Sequence, residues 1–223
     1  MNNQIIDFYE KKYRLRSLGP AEKIRVKKIV DLSGKNKIIL DIGCDTGLVG
    51  KYILKNKNKV YGIDISKKAV IEANNNGLIA KRINPETQAL PFKNNYFDLI
   101  IMTDIIEHLF DPDKVFQKIR KKLKLNGELI ITTPNLASLT RRIQLFLGLN
   151  PSTETRLNKY SAGHIRYFVK KNLFELLSNY KFKVIHFSSD LIHLTPNGKI
   201  NTTLIPYFFP TLGRTLIIKA VKL

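Results

Sequence analysis

The chain predicts an α/β fold: an open, doubly wound, mostly parallel sheet of seven strands, with helices on both faces and a lid-like insertion. Three observations predict it. Short β-branched runs alternate with helical segments between residues 38 and 135, the order that produces a parallel sheet covered on both faces. A glycine-studded loop follows the first of those runs directly, in "IILDIGCDTGLVG". The unusual polar residues, Asp41, Asp64, Glu86, Asp104 and the Glu107–His108 pair, fall after the runs, and right-handed crossovers bring strand ends of that kind to one ligand crevice. At 223 residues, 43% hydrophobic, the chain has material for one domain with a sizeable core.

The elements follow in order. Residues 4–16 and 20–32 read as amphipathic helices, the second opened by Pro20, whose fixed φ suits a first turn. "KIILDIG" is the first strand, Gly47 to Lys55 a helix, and "KVYGID" the second strand. Ser66 caps the helix "KKAVIEANNN", which Gly77 ends. "IAKRI" and "YFDLIIMTD" are the third and fourth strands. Pro112 opens a helix expected to run to about Leu125 and to stop at "NG", before the fifth strand "ELIITTPN". The alternation then breaks. Residues 136–162 hold an apolar, basic helix, "LASLTRRIQLFLGL", and a polar loop; "KKNLFELLSNY", "KVIHFSS" and "RTLIIKAVKL" restore a helix and two strands. Residues 136–162 and 189–213 are therefore insertions above the crevice, candidates for a lid over a substrate. The expected organisation is one domain: N-terminal helices (1–35), a binding core (36–135), the insertion (136–162), and a C-terminal helix and strands (163–223).

Composition narrows the partners. The balance of 38 Lys+Arg against 18 Asp+Glu gives a net charge of +20. That excess suits a polyanion, nucleic acid or an anionic membrane surface. However, "KIRVKK" and "KIRKKLK" interleave charge with apolar residues at helical spacing, which favours solvated outer faces of packed helices. The single cysteine, Cys44, excludes an internal disulfide and a cysteine-rich metal site. The N-terminus has no apolar signal core, and no uncharged stretch is long enough to span a bilayer. The expectation is a soluble, cytoplasmic protein, with peripheral contact to anionic membrane kept open.

The loop itself selects a ligand class. Counting from Gly43, a dinucleotide fingerprint wants glycine at the third and sixth positions, which here are Asp45 and Leu48. A diphosphate there would also face Asp45 and Asp41, and like charges a few ångströms apart in a partly dry site cost several kcal/mol. S-adenosylmethionine carries a sulfonium and an ammonium and no phosphate, so the carboxylate at the end of the first strand, Asp41, attracts it. Asp64 ends the second strand about 20 residues after the loop, the spacing at which an acid reaches ribose hydroxyls.

These residues resemble a known family. "LDIGCDTG", "VYGIDIS", "ETQALPFKNNYFDLI" and "DIIEHLFDP", with "GHIRYF" further on, are similar to the motifs of class I S-adenosylmethionine-dependent methyltransferases, the broad branch with LDxGCGxG and LPFxxxxFD. The likeness runs from about Ile38 to Asn135 and resumes at "GHIRYF". It implies a Rossmann-like sheet. It further implies that Asp41 and the Gly43–Cys44–Gly47 backbone hold the methionine part, and that Asp64 holds the ribose. Ile65 would pack on the adenine, Glu86 with Thr87 would lie by the adenine amino group, and Asp104 near the methionine moiety. Asp45 stands where the family most often has glycine, and Pro85–Glu86 where it has Gly–Asp.

Methyl transfer is an in-line displacement that depends on positioning, and a base is needed only for a hydroxyl or a protonated amine. His108, just past the fourth strand, and His164, in "GHIRYF", are the candidate bases, each also readable as a structural histidine. Glu107, His108 and His164 lack a metal motif's spacing, so no metal is expected. Cys44 reads as a small turn residue, with no base at a spacing that would make it a nucleophile. The acceptor is open among three readings. The first is a small-molecule, lipid- or sugar-linked acceptor taking an O-methyl group, suggested by "RRIQLFLGLNP" and "LIPYFFPTLG". An RNA methyltransferase and a non-catalytic cofactor-binding scaffold are the alternatives.

Overall fold

The computed structural model describes residues 19–151, 163–193 and 200–223. The helix expected over residues 4–16 lies outside these. The first helix described, α1 (Pro20–Ser33), starts where Pro20 takes the first turn and the Gly19 amide donates to Glu22 Oε2 at 2.9 Å. It buries Ala21, Val26 and Ile29. Then come β1 (Ile38–Ile42), α2 (Leu48–Leu54), β2 (Lys59–Asp64), α3 (Lys67–Asn75), β3 (Ile79–Arg82) and β4 (Phe97–Thr103). Ser66 caps α3 by accepting from the Ala69 amide, as its position predicts. A 3₁₀ turn (Ile106–His108) leads into α4 (Pro112–Lys122), β5 (Leu123–Pro134) and α5 (Leu139–Phe146). The chain closes with α6 (Lys170–Asn179), β6 (Phe182–Ser189), the short strands β7 (Ile192–His193) and β8 (Asn201–Thr202), α7 (Leu204–Phe208) and β9 (Thr215–Lys222).

Seven strands form one sheet in the order β3-β2-β1-β4-β5-β9-β6. Only β9 runs against its neighbours, β5 and β6; the other pairings within this sheet are parallel. The expected doubly wound, mostly parallel sheet is therefore present. Side-chain alternation gives it two cores. Leu40, Ile42, Ile100, Met102, Leu129 and Ile131 face one layer, while Ile39, Leu99, Ile101 and Ile130 face the other with Ile29 of α1 and Ile53 of α2. Chain order reverses direction between β1 and β4, so the crevice opens at their carboxyl ends.

One boundary differs from expectation. The helix opened by Pro112 stops at Lys122, not Leu125, because Leu123 is fully buried and already pairs with Phe97. "NG" does not end that helix. Asn126, at φ 58°, sits within β5, and the ladder shifts register there between Phe97 and Leu99. The insertion regions are different in character from the core. α5 buries none of its residues, and Phe146 is 89% exposed. Tyr207, Phe208 and Phe209 are exposed around α7. None of the described helices is long and apolar enough to cross a membrane.

Candidate active site

The loop between β1 and α2 turns through two glycines that no other residue could replace without strain. Gly43, at φ 72°, would drive a Cβ to 2.0 Å from Ile105 Cδ1, and Gly47, at φ 76°, would set one 2.9 Å from the Ala73 backbone. Asp45 between them adopts φ 46°, a region Asp tolerates better than most residues. Its amide donates to Asp64 Oδ2 at 3.0 Å, while Asp64 Oδ1 accepts from the Ser66 amide at 2.9 Å. Asp64 thus ties the ends of the first two strands together at the crevice.

Asp41 lies beneath this loop, 1% exposed, and its Oδ1 has no hydrogen-bond partner. Burial, and then the charges of Asp64 and Asp45, push its carboxyl up to about 8. Burial likewise raises Asp64 to about 6 against the lowering effect of the Ser66, Asp45 and Ile65 amides. Three carboxylates therefore converge on this loop, Asp45 exposed, Asp64 half-buried and Asp41 buried, and the deepest keeps an oxygen unmet. A cation answers that arrangement and a phosphate aggravates it. The residues fit a sulfonium- and ammonium-bearing nucleoside. Cys44 contributes backbone only. Its side chain is buried in the second core beside Gly62, and burial pushes its thiol far up.

The residues expected around the nucleoside spread along the crevice. Ile65 is half-buried directly after β2, and Thr87 is exposed. Glu86 Oε1 accepts from the Asp111 amide at 2.8 Å, so this acid also fastens its own loop to the start of α4. Asp104 is held firmly, at φ 53°. Its Oδ2 pairs with Arg25 Nη1 at 2.8 Å, and its Oδ1 accepts from Thr132 Oγ1 at 2.9 Å. Arg25, on α1, is a site residue that the sequence did not reveal. It lies 79 positions before Asp104, and no local pattern announces the pairing.

Beside Asp104 the two candidate histidines meet. Their rings lie 4.9 Å apart. His108 Nδ1 is 3.0 Å from the Gly163 carbonyl oxygen, and the Ile165 and Arg166 amides donate to the Glu107 carbonyl. Arg166 in turn donates to the carbonyls of Leu109 and Phe110. The "GHIRYF" segment is thereby strapped across the β4–α4 connection. Glu107 is 1% exposed. Its Oε2 accepts from Thr133 Oγ1 at 2.9 Å, its Oε1 accepts no hydrogen bond, and His164 Nε2 stands 3.9 Å from that oxygen. Burial first, and the Asp104 charge second, push Glu107 up to about 8. The three ligand atoms of Glu107, His108 and His164 lie within 4.8 Å of one another. Such a cluster can pass a proton or ligate a divalent cation, although the sequence spacing pointed to no metal.

Comparison with known proteins gives the family and the fold. The methyltransferase-domain family profile matches residues 16–187. The ubiquinone biosynthesis O-methyltransferase of Pelagibacter ubique is 36% identical over 105 residues, 45% of this chain and 43% of that protein. The biotin biosynthesis bifunctional protein BioHC of Saccharophagus degradans is 23% identical over 160 residues, 70% of this chain and 28% of that protein. The chain thus spans less than half the length of either curated relative. Among solved structures, a SAM-dependent methyltransferase from Archaeoglobus fulgidus superposes with a TM-score of 0.68 at 16% identity, over 97% of this chain and 99% of that one. It shares the fold.

Proposed function

This chain belongs to the class I S-adenosylmethionine-dependent methyltransferase family, and from that premise we propose that it methylates a hydroxyl of a small, amphiphilic acceptor. The observation that carries the proposal is the buried Glu107 carboxyl facing His164 Nε2 beside the crevice. A neutral nitrogen acceptor needs only positioning, whereas a hydroxyl must lose a proton, and a carboxyl–imidazole pair is suited to take it.

In this reading Asp41 and the backbone from Gly43 to Gly47, Cys44 included, hold the methionine part. Asp64 accepts from the ribose hydroxyls, Ile65 packs on the base, and Glu86 with Thr87 borders its amino group. When bound, the cofactor supplies a methyl group activated by its sulfonium. Asp104, fixed by Arg25 and Thr132, shapes the floor between cofactor and acceptor. His164 takes the acceptor's proton, and Glu107 Oε1, 3.9 Å from Nε2, stabilises the protonated ring. His108 braces the strap through the Gly163 carbonyl, so it supports the base at one remove. The apolar exposed faces of α5 and α7 roof an acceptor with a greasy portion. The O-methyltransferase named above is the relative that supports hydroxyl chemistry.

A second reading keeps the same residues and the same reaction. The three clustered ligand atoms would hold a divalent cation that binds the acceptor oxygen, in place of direct proton transfer to His164. One experiment addresses both readings. Transfer of a labelled methyl group is measured against separate small-metabolite, lipid and RNA fractions, with and without chelator. Label entering small hydroxyl compounds supports the proposal, and loss of rate on chelation with recovery on adding Mg²⁺ selects the cation reading. Label entering RNA alone would overturn both.

A further inference from the structure

A second cluster lies at the same edge of the sheet, beyond the residues assigned above. Asn135, just after β5, is 1% exposed and organises it. Its side chain donates to the carbonyls of Thr211 and Gly213 at 2.9 and 2.8 Å, and its Oδ1 accepts from the Ala137 amide at 3.0 Å. Its carbonyl accepts from Arg141 Nη1 at 2.8 Å, and its amide donates to the Arg214 carbonyl at 2.8 Å. Arg214 Nη1 is in turn 2.9 Å from His193 Nε2, whose backbone carbonyl accepts from Thr140 Oγ1. One buried amide therefore anchors two arginines from segments 73 positions apart, Arg141 on α5 and Arg214 before β9.

Neither arginine has an acidic partner among the described residues. Both are half-buried. The acid nearest Arg214 in sequence, Asp190, accepts from the Thr215 amide through Oδ1 at 2.8 Å, and its buried Oδ2 meets neither guanidinium. Burial, followed by the like charge of Arg214, lowers the pKa of Arg141. Two guanidinium groups held together and partly out of water, with no ion-pair partner among the described residues, are an unfavourable arrangement for the protein alone. A planar carboxylate or a phosphate is the ligand whose geometry their donor forks match.

The position matters as much as the charge. Thr133, which donates to Glu107, is the penultimate residue of β5, and Asn135 follows directly after the strand, two positions and about 6.5 Å of extended chain away. The strap repeats the relation: His164 stands by Glu107, and Phe168 bridges to Asn135. Tyr167, three residues after His164, acts on Arg141. Three residues span at most about 11 Å, so one short strap carries both the base and the tyrosine whose charge acts on Arg141.

Resting on the acceptor-site reading above, we infer that Arg141 and Arg214 bind an anionic group, a carboxylate or a phosphate, carried by the methyl acceptor. The acceptor is a small hydroxyl compound with a negative charge at its far end. A nucleic-acid backbone suits the site less well, because the pair is recessed and the outer face of α5 beside it presents Ile143, Leu145 and Phe146.

The test uses the full chain saturated with S-adenosylhomocysteine. Inorganic phosphate and 4-hydroxybenzoate are titrated separately by isothermal calorimetry into wild type, Arg141→Gln, Arg214→Gln and, as control, the exposed neighbour Arg142→Gln. Saturable binding of one probe to wild type is expected, weakened at least tenfold in Arg141→Gln and Arg214→Gln and within twofold of wild type in Arg142→Gln. The probe that saturates identifies the anion. Should either Gln variant fail to fold, the Lys variant at that position keeps the charge but loses the fork, and a threefold or greater weakening is expected. No saturable binding of either probe, or equal binding in all variants, overturns the inference. Arginine-dependent binding to vesicles of anionic phospholipid without small-anion binding overturns it too. Binding of S-adenosylhomocysteine is read in the same experiment: if it is absent, the enzymatic reading has failed; if it is present without anion binding, only this inference has.

Discussion

Replacing Asp41 with Asn should make the ligand-free protein more stable and cofactor binding weaker at once. Asp41 is buried with one oxygen unmet, and its carboxyl climbs from 3.8 to about 8. The sign follows from linkage. A carboxyl whose folded pKa is raised gives stability that is complete below its unfolded value and is lost as pH rises towards the folded one. Here the loss runs from about pH 4 to about pH 8. At about 1.4 kcal/mol per pH unit, the ideal penalty at pH 7 is about 4 kcal/mol, and relaxation of the loop reduces it to roughly 2–4 kcal/mol. Asn does not titrate, so Asp41→Asn should escape the penalty. Urea unfolding of both proteins, ligand-free, at pH 4.5 and pH 8 measures it. The variant should gain roughly 2–4 kcal/mol at pH 8 and little at pH 4.5, while its affinity for S-adenosylmethionine falls at least tenfold. Equal stability at pH 8, or a gain that does not grow with pH, would refute the reasoning that the loop is built around an uncompensated charge.

Three further outcomes are expected. Asp64→Ala should weaken S-adenosylmethionine binding by roughly 1–3 kcal/mol in calorimetry, because ribose hydroxyls are left unmet; an unchanged Kd would remove Asp64 from the site. Asp45→Gly should leave binding unchanged or tighter, since glycine takes the positive φ of 46° without strain and a carboxylate is lost beside Asp41; a large loss of affinity would make Asp45 a direct contact. His164→Ala should slow single-turnover transfer by about 10²–10⁴-fold with an unchanged cofactor Kd, and a normal rate would remove it from the mechanism.

Local chemistry was what the sequence made legible. Ser66 and Pro112 mark helix starts because a cap and a fixed φ act within one turn. The alternating strands gave the two-faced sheet, and Asp41, Gly43, Gly47 and Asp64 fell at strand ends where the fold brings them to one crevice. The end of α4 was misjudged because "KIRKKLKL" keeps a helical rhythm, while pairing of Leu123 with Phe97 decides the matter from 26 positions away. Arg25 with Asp104, Glu107 with Thr133, and Arg141 with Arg214 share that character. Each joins elements distant in sequence, and a charged residue does not advertise its partner. The insertion helix α5 was legible as apolar and basic, yet its pattern did not say which arginine would turn inward.

The central claim is that a carboxylate-lined loop selects a cationic nucleoside over a diphosphate. Calorimetric titration of the wild-type chain with S-adenosylmethionine and, separately, with NAD tests it most directly. The account predicts saturable one-site binding of S-adenosylmethionine and no measurable heat from NAD. Binding of NAD with no response to S-adenosylmethionine would contradict it.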